Sequence, residues 1–353
     1  MNKIIQEGRG IRVMKLKKEF EDFYKEIRID SETDVLIEKR KTLDGEIKDK
    51  LPGELDDHGI KLNKSEIRTF DQGSYKYNTT ISSKIVDRDV AVMIPLNTSD
   101  NPDPRKIKGY LRDAININSR TVEIKEPCVR AVYHEAGEEW LHIDLPLYAK
   151  DGDNIYLARG KFTSDSYSWE EADPDGLNDD LCGKINGNDQ LRRVICYIKK
   201  WKNEKYSNSI RDHEVPPSIG LTYLACDCFS AQSSSGQDDD LNALQKTMKN
   251  IKNNFSVTVD SNGNVVSADI SRFLPVRPYT DVFAKMRESS SSYMLTFYNR
   301  LCTAVDNLTN AVNVESDHEA GIYVQRVLGT DFVVPPKQAA SVTTQNKREH
   351  SFG

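Results

Sequence analysis

The sequence has no long apolar run. No window of its 353 residues approaches the roughly 18 apolar residues of a membrane-spanning helix, and the opening MNKIIQEGRGIRVMKLKKEF lacks the apolar stretch of a secretion signal. A cytoplasmic protein with no membrane partner is the expectation. Cysteine is scarce too. The six, at 128, 182, 196, 226, 228 and 302, are too few and too scattered for a disulfide framework, and the close pair Cys226/Cys228 has no second pair at zinc-ligand spacing. The six histidines are dispersed and form no HExxH pair, which removes a zinc hydrolase, and the absence of GxxxxGK[ST] removes a P-loop ATPase. Positive charge is also short: 49 Lys and Arg against 55 Asp and Glu leave a net charge of -6. Coating by nucleic acid relies on basic surface that neutralises phosphates, so a nucleic-acid activator is not expected, and any phosphate ligand must meet a local basic patch.

What is present indicates a soluble globular chain, 37% hydrophobic and 29% charged, long enough for a sizeable core or for two lobes sharing one. Charged amphipathic helices are predicted over about 14 to 50. Runs of strand length follow between 85 and 148: IVDRDVAVMIPL, RTVEIKEP, VRAVYHE and EWLHIDLPLY, each alternating or rich in β-branched residues. The acidic stretch 165–180 reads as loop. After it, helices are predicted over 190–206, 216–232, 238–254 and 281–313, with a hairpin turning at Asn262-Gly263 between the last two. In QLRRVICYIKKWKNEKY, Leu191, Val194, Ile195, Ile198 and Trp201 recur at helical spacing among six basic residues, which supplies the local basic patch. The expected organisation is a core with N-terminal helices over 1–185, a helical lobe over 186–334 and a flexible tail over 335–353, with the ligand cleft between the lobes.

The stretch DQGSYKYNTTISSKIVDRDVAV carries the chemistry. Aspartates are poor strand formers, yet Asp87 and Asp89 stand at the mouth of an apolar run. In a strand through 86–94 they share one face with Ala91 and Met93, while Val90, Val92 and Ile94 take the other. Both carboxylates then reach one site. In EWLHIDLPLY, Asp144 falls with Trp140 and His142 on the side opposite the aliphatic residues, so a second strand offers a third carboxylate. Converging like charges repel, and divalent cations resolve the conflict. Phosphoryl or nucleotidyl transfer by two metals uses such an arrangement. Gly73-Ser74 supplies a phosphate partner, because glycine lets the backbone approach closely and the hydroxyl and nearby N–H groups donate.

The ordered set GS, DxD and a further strand Asp resembles the polymerase β-type nucleotidyltransferase superfamily. More narrowly, DQGSYKYNTTI, DRDVAVMIPL, IDLPLYA, WEEADPDGL, LRRVICYIKKWKN and VPPSIGLTYLAC, spanning about 68 to 232, resemble the bacterial CD-NTases, relatives of cGAS that make cyclic oligonucleotide second messengers in antiphage defence. The resemblance implies an α+β fold, a polymerase β-like nucleotidyltransferase core sheet with a C-terminal helical lobe and the active site in the cleft between them. It implies catalytic metal binding by Asp87, Asp89 and Asp144, donor triphosphate binding by Gly73 and Ser74, and nucleotide contact by Gln72, by Lys199 within YIKKW and by Ser218 within PPSIGLT. Lys200 and Lys202 compete for the role of Lys199. The implied cofactor is Mg2+, two ions, with Mn2+ as a substitute, and the implied substrates are ATP with GTP or another triphosphate. Gly353 is a candidate for conjugation by E1/E2-like partners, as at some CD-NTase C-termini. A template-free transferase making linear oligonucleotides, and a catalytically silent nucleotide-binding or antitoxin-like module, are the alternatives.

Overall fold

A computed structural model describes residues 14–29, 34–83, 85–117, 119–211 and 213–337. Gly353 and the tail from 338 onward lie outside the described residues. Helix α1 (Lys17–Ile27) and helix α2 (Asp34–Asp56) precede strand β1 (Arg68–Gln72), the single turn α3 (Gly73–Lys76) and the long strand β2 (Val86–Pro95). Helix α4 (Pro104–Ile115) leads to β3 (Thr121–Ile124), β4 (Val129–Glu135), β5 (Glu138–Leu145), β6 (Leu147–Asp151), β7 (Asn154–Gly160) and β8 (Tyr167–Glu171). These eight strands make one mixed sheet in the order β3-β4-β5-β2-β6-β7-β8, with β1 antiparallel to β2.

Strand β2 organises the sheet. Along one edge it runs parallel to β5 and then to β6, in the same register on both sides of Pro146, so the two behave as one strand interrupted where proline has no N–H to give. Along the other edge it pairs with β1, Gln72 opposite Asp89. Alternation divides its side chains as the sequence predicts. Val90, Val92 and Ile94 face a core closed by Leu43, Ile47 and Leu51 of α2 and Ile107 and Leu111 of α4, while Ala91 and Met93 pack with Tyr148 and Phe70 on the opposite face.

The remaining chain is largely helical: α5 (Pro174–Ile185), α6 (Asp189–Lys205), α7 (Ser218–Cys228), a short ribbon of β9 (Ser233–Ser234) and β10 (Gln237–Asp238), α8 (Asp240–Asn253), the hairpin β11 (Ser256–Val259) and β12 (Val265–Asp269), α9 (Ala284–Ser289), α10 (Ser291–Asn313) and α11 (Asp317–Leu328). They enclose a second core around Val194, Tyr197 and Trp201 of α6. Helix α1 packs into this helical core although it precedes the sheet in sequence: its Phe20 ring lies 5.2 Å from both Tyr197 and Phe332. No helix of the described residues is long and apolar enough to cross a membrane.

Two expectations are corrected. The acidic stretch 165–180 is not a loop: β8 adds the last strand of the sheet, and α5 begins where the Asp173 carboxylate accepts the Gly176 N–H at 2.8 Å with Pro174 in the first turn. A side-chain cap followed by a proline with preset φ starts a helix whatever the net charge of the segment. The helix expected over 281–313 starts at 284 and is broken at Ser290, whose extended backbone ends α9 and whose hydroxyl accepts from the Ser292 N–H at the start of α10.

Lys108 pins α4 to the sheet. Its side chain is buried, and its ammonium donates to the carbonyls of Lys125 (2.6 Å), Glu126 (2.9 Å) and Gly160 (2.6 Å), gathering the ends of β3 and β7 beneath the helix. Lys108→Met removes the donor and strands three carbonyls, a loss expected to cost on the order of 3 kcal/mol or more. Urea unfolding measures it, and a cost below about 1 kcal/mol would show that the carbonyls find other partners.

Candidate active site

Gly73 is where the backbone and the first carboxylate meet. It leaves β1 with φ +67°, a left-handed conformation that favours glycine, and a Cβ on it would collide with Oδ2 of Asp89. The glycine therefore lets the Gly73-Ser74 turn lie directly against the Asp89 carboxylate. Ser74 Oγ stands 3.1 Å from Thr80 Oγ1, and the Thr79 N–H donates to the Ser74 carbonyl at 2.9 Å, which folds the loop after α3 back over the turn.

Opposite this turn stand α6 and α7. A cavity of about 320 Å³ is lined on the sheet side by Gly73, Ser74, Thr79, Thr80, Asp87 and Asp89, and on the helical side by Lys199, Lys202, Asn203, Ser218, Ile219 and Thr222. Gly73, Ser74, Asp87, Asp89, Lys199 and Ser218, all named from the sequence, thus line one space. Gln72 and Asp144 do not line it but neighbour Asp89, which does. Gln72 Oε1 accepts from the Tyr148 hydroxyl at 3.2 Å, and Asp144 is the cross-strand neighbour of Asp89. A larger cleft of about 700 Å³ opens between α1, the start of α6 and β10, but it contains none of the expected residues, and its Arg193 is held by Asp238 and Asp240.

The lysines separate by their place on α6. Lys199 and Lys202, three residues apart, share the face that looks into the cavity. Lys199 is buried and donates to the Thr79 carbonyl and hydroxyl, both at 3.0 Å, while Lys202 donates to Ser218 Oγ at 2.7 Å. Lys200 points away to Asp331 and Glu204, at 2.5 and 2.8 Å. Burial pushes Lys199 down to about 8, and it lowers Lys202 as well, against the pull of Asp87.

The carboxylates are loaded the other way. Burial first, and then the charges of Asp144 and Asp87, push Asp89 up to about 7, although Lys199 and Arg130 act against the shift. Asp87 is also raised, mostly by desolvation, with Arg130 and His142 opposing and Asp144 adding; its side chain is 68% exposed, so water tempers the effect. His142, the cross-strand partner of Asp87, brings Nδ1 to 3.3 Å from Asp87 Oδ1 and Nε2 to 3.2 Å from Glu139. Asp144 is already engaged: Arg130 on β4 donates to both of its oxygens, Nε–Oδ1 at 2.6 Å and Nη2–Oδ2 at 2.8 Å.

The donor set is chemically suited to a hard divalent cation, since its groups are carboxylate oxygens that raise one another's proton affinity. Its arrangement is incomplete. Among the described residues no three His, Cys, Asp or Glu side chains already surround one cation position. Asp87 and Asp89 are accessible from the cavity, whereas Asp144 is bound to Arg130. Thr79, Thr80, Asn203, Thr222 and Arg130 were not singled out from the sequence. Of the two competitors for the role of Lys199, Lys202 shares its face and Lys200 does not; the partner of Asp144 depends on strand register, which local sequence does not reveal.

Residues 67–148 match the family described as "Cyclic GMP-AMP synthase DncV-like, nucleotidyltransferase domain". No curated protein matches the sequence. Among solved structures, Vibrio cholerae DncV cyclic AMP-GMP synthase in complex with the linear intermediate 5' pppA(3',5')pG aligns with a TM-score of 0.64 at 16% identity, over 89% of this chain and 96% of that one. The same synthase with nonhydrolyzable GTP aligns at 0.64 and 16%, over 91% and 97%, and the form described as a prokaryotic cGAS homolog at 0.63 and 17%, over 89% and 97%. At this identity the likeness establishes the fold, which is the expected α+β architecture.

The strained ionisation of Asp89 has a measurable consequence. An unfolded aspartate titrates near pH 4 and Asp89 in the fold near 7, so its contribution to stability is present at acid pH and is lost as pH rises through that interval. Without divalent metal, Asp89→Asn should melt a few degrees higher than the wild type at about pH 8, and the difference should vanish by about pH 4. Parallel melting curves at both pH values would contradict the shift.

Proposed function

We propose that this chain, whose residues 67–148 belong to the DncV-like nucleotidyltransferase domain family, joins nucleoside triphosphates, ATP with GTP or another triphosphate, into a cyclic oligonucleotide signal for antiphage defence. The observation that carries the proposal is the shared cavity: the Gly73-Ser74 turn and the Asp87/Asp89 pair face Lys199 and Lys202 across about 320 Å³. DncV, which has the same fold, has been solved with ATP and GTP and with a linear intermediate.

In this reading the Gly73 turn and Ser74 Oγ cradle the donor triphosphate, while Lys202 and Ser218, hydrogen-bonded to each other, close on it from α6 and α7. Lys199 fixes the Thr79 loop that backs the turn and adds positive charge at the rear. Asp87 and Asp89, joined by Asp144, would hold two Mg2+ ions, which when bound neutralise the triphosphate and acidify the attacking hydroxyl. The Gln72–Tyr148 hydrogen bond braces the strand end from which the turn departs. Each transfer forms an O–Pα bond, breaks the bond from Pα to the α,β-bridging oxygen, and releases pyrophosphate and the proton of the attacking hydroxyl. Ring closure repeats it when the free hydroxyl of the linear product attacks its own triphosphate end. We place the nucleotidyltransferase core with its N-terminal helices over 1–185 and the helical lobe over 186–334, with α1 and the end of α5 packed against the helical core.

Purified protein given all four triphosphates and Mg2+ should yield, by mass spectrometry, a product that resists alkaline phosphatase. Products fully trimmed by phosphatase would instead identify a linear-oligonucleotide transferase, and no product at all a silent binding module. Asp87→Asn or Asp89→Asn should lower turnover at least roughly a hundredfold, because a misplaced cation forfeits charge stabilisation of the transition state. Ser74→Ala should cost roughly ten- to a hundredfold, the worth of one hydrogen bond to a charged phosphate. Wild-type steady-state kinetics for Ser74→Ala would remove the turn from the phosphate site.

A further inference from the structure

The partner that holds Asp144 is Arg130. The two are directly opposed on neighbouring antiparallel strands, and Asp144 is in turn opposed to Asp89 on β2, so Arg130, Asp144 and Asp89 form one row across β4, β5 and β2. Cross-strand partners project to the same face of a sheet. Arg130 uses that position fully: its guanidinium is bidentate on Asp144, and its side chain, 26% exposed, is far enough from bulk water for the charge to act. The same guanidinium draws down the proton affinity of Asp87 and of Asp89. One arginine therefore serves as counter-charge to three carboxylates.

We propose that Arg130 is a built-in placeholder cation, which occupies Asp144 in the metal-free protein and is released from it when a divalent ion enters between the carboxylates. The proposal rests on the reading of Asp87, Asp89 and Asp144 as metal ligands. Its physical basis is competition. A guanidinium on Asp144 takes one lone pair of each oxygen, and its positive charge, close to the site, repels an incoming cation. Without any such charge three carboxylates would face one another with no counter-ion between them. Arg130 thereby balances the charge of the carboxylate row, at the expense of metal affinity. The site would be completed only when metal, or metal carried by a triphosphate, displaces the arginine, which makes Arg130 a positioning residue and not a catalytic one.

Binding of Mn2+ alone, followed by the electron paramagnetic resonance signal of the free ion, tests this without reference to turnover. Arg130→Gln, which removes the charge, should bind Mn2+ roughly tenfold more tightly than the wild type, and Arg130→Lys, which keeps it, should stay near the wild type. Unchanged or weaker binding by Arg130→Gln, in a protein whose Asp89→Asn variant loses Mn2+, overturns the placeholder while leaving the metal site standing. Binding that survives unchanged in Asp89→Asn overturns both. Should Arg130→Gln fail to fold, the wild type decides: the Nε–Hε resonance of Arg130, assigned by its loss in Arg130→Lys, should move and exchange faster at saturating Mg2+. A resonance indifferent to Mg2+ overturns the proposal.

Discussion

Everything at this site depends on one row of side chains held in register across four strands. Gln72 on β1, Asp89 on β2, Asp144 on β5 and Arg130 on β4 are successive cross-strand partners. Neighbouring strands lie about 4.8 Å apart, so the row places two carboxylates at a spacing where they perturb each other, with an arginine at one end and a neutral amide at the other. A slip of one residue in any pairing would turn that strand's member of the row to the opposite face. The apolar alternation of β2 prevents the slip, because Val90, Val92 and Ile94 would leave the core beneath α2 and α4. The burial that fixes the fold thus also fixes the electrostatics, and Asp89 is held at a proton affinity that no solvated aspartate has.

The helical part of the chain is fastened to this row by polar contacts. Buried Lys199 reaches from α6 to the Thr79 carbonyl and hydroxyl, and α5 adds Asn178, which accepts from the Tyr77 hydroxyl at 2.9 Å and donates to the Asp71 carbonyl at 3.3 Å. Arg68 on β1 closes a bidentate pair with Asp175 at 2.6 and 2.7 Å. These contacts converge on β1 and the turn that follows it, so the position of the helices and the shape of the Gly73-Ser74 turn are coupled. Lys199 lies at the centre of that coupling. Desolvation lowers its proton affinity, and its two hydrogen bonds to Thr79 satisfy the charge that remains.

The sequence was legible where a local period or a steric rule decides. Alternation over 86–94 placed Asp87 and Asp89 on one face, and the glycine of the GS pair is required by its left-handed φ beside Asp89. The basic helix was legible as a helix, but which of Lys199, Lys200 and Lys202 faces the cavity depended on what packs against it. Arg130 was beyond reach, because its partnership with Asp144 comes from the pairing of β4 with β5. The stretch 165–180 was misread because its acidity outweighed the Asp173-Pro174 start signal, and the break at Ser290 because the run of serines 289–292 was absorbed into a helical pattern.

The function of the cavity turns on where a triphosphate lies. A crystal structure of the protein with a nonhydrolyzable ATP analogue and Mn2+ tests it most directly. The phosphates should lie against the Gly73-Ser74 turn and within reach of Lys202, with Mn2+ density touching both Asp87 and Asp89. Phosphates bound in the cleft between α1 and α6, or metal density that avoids the aspartate pair, would contradict it.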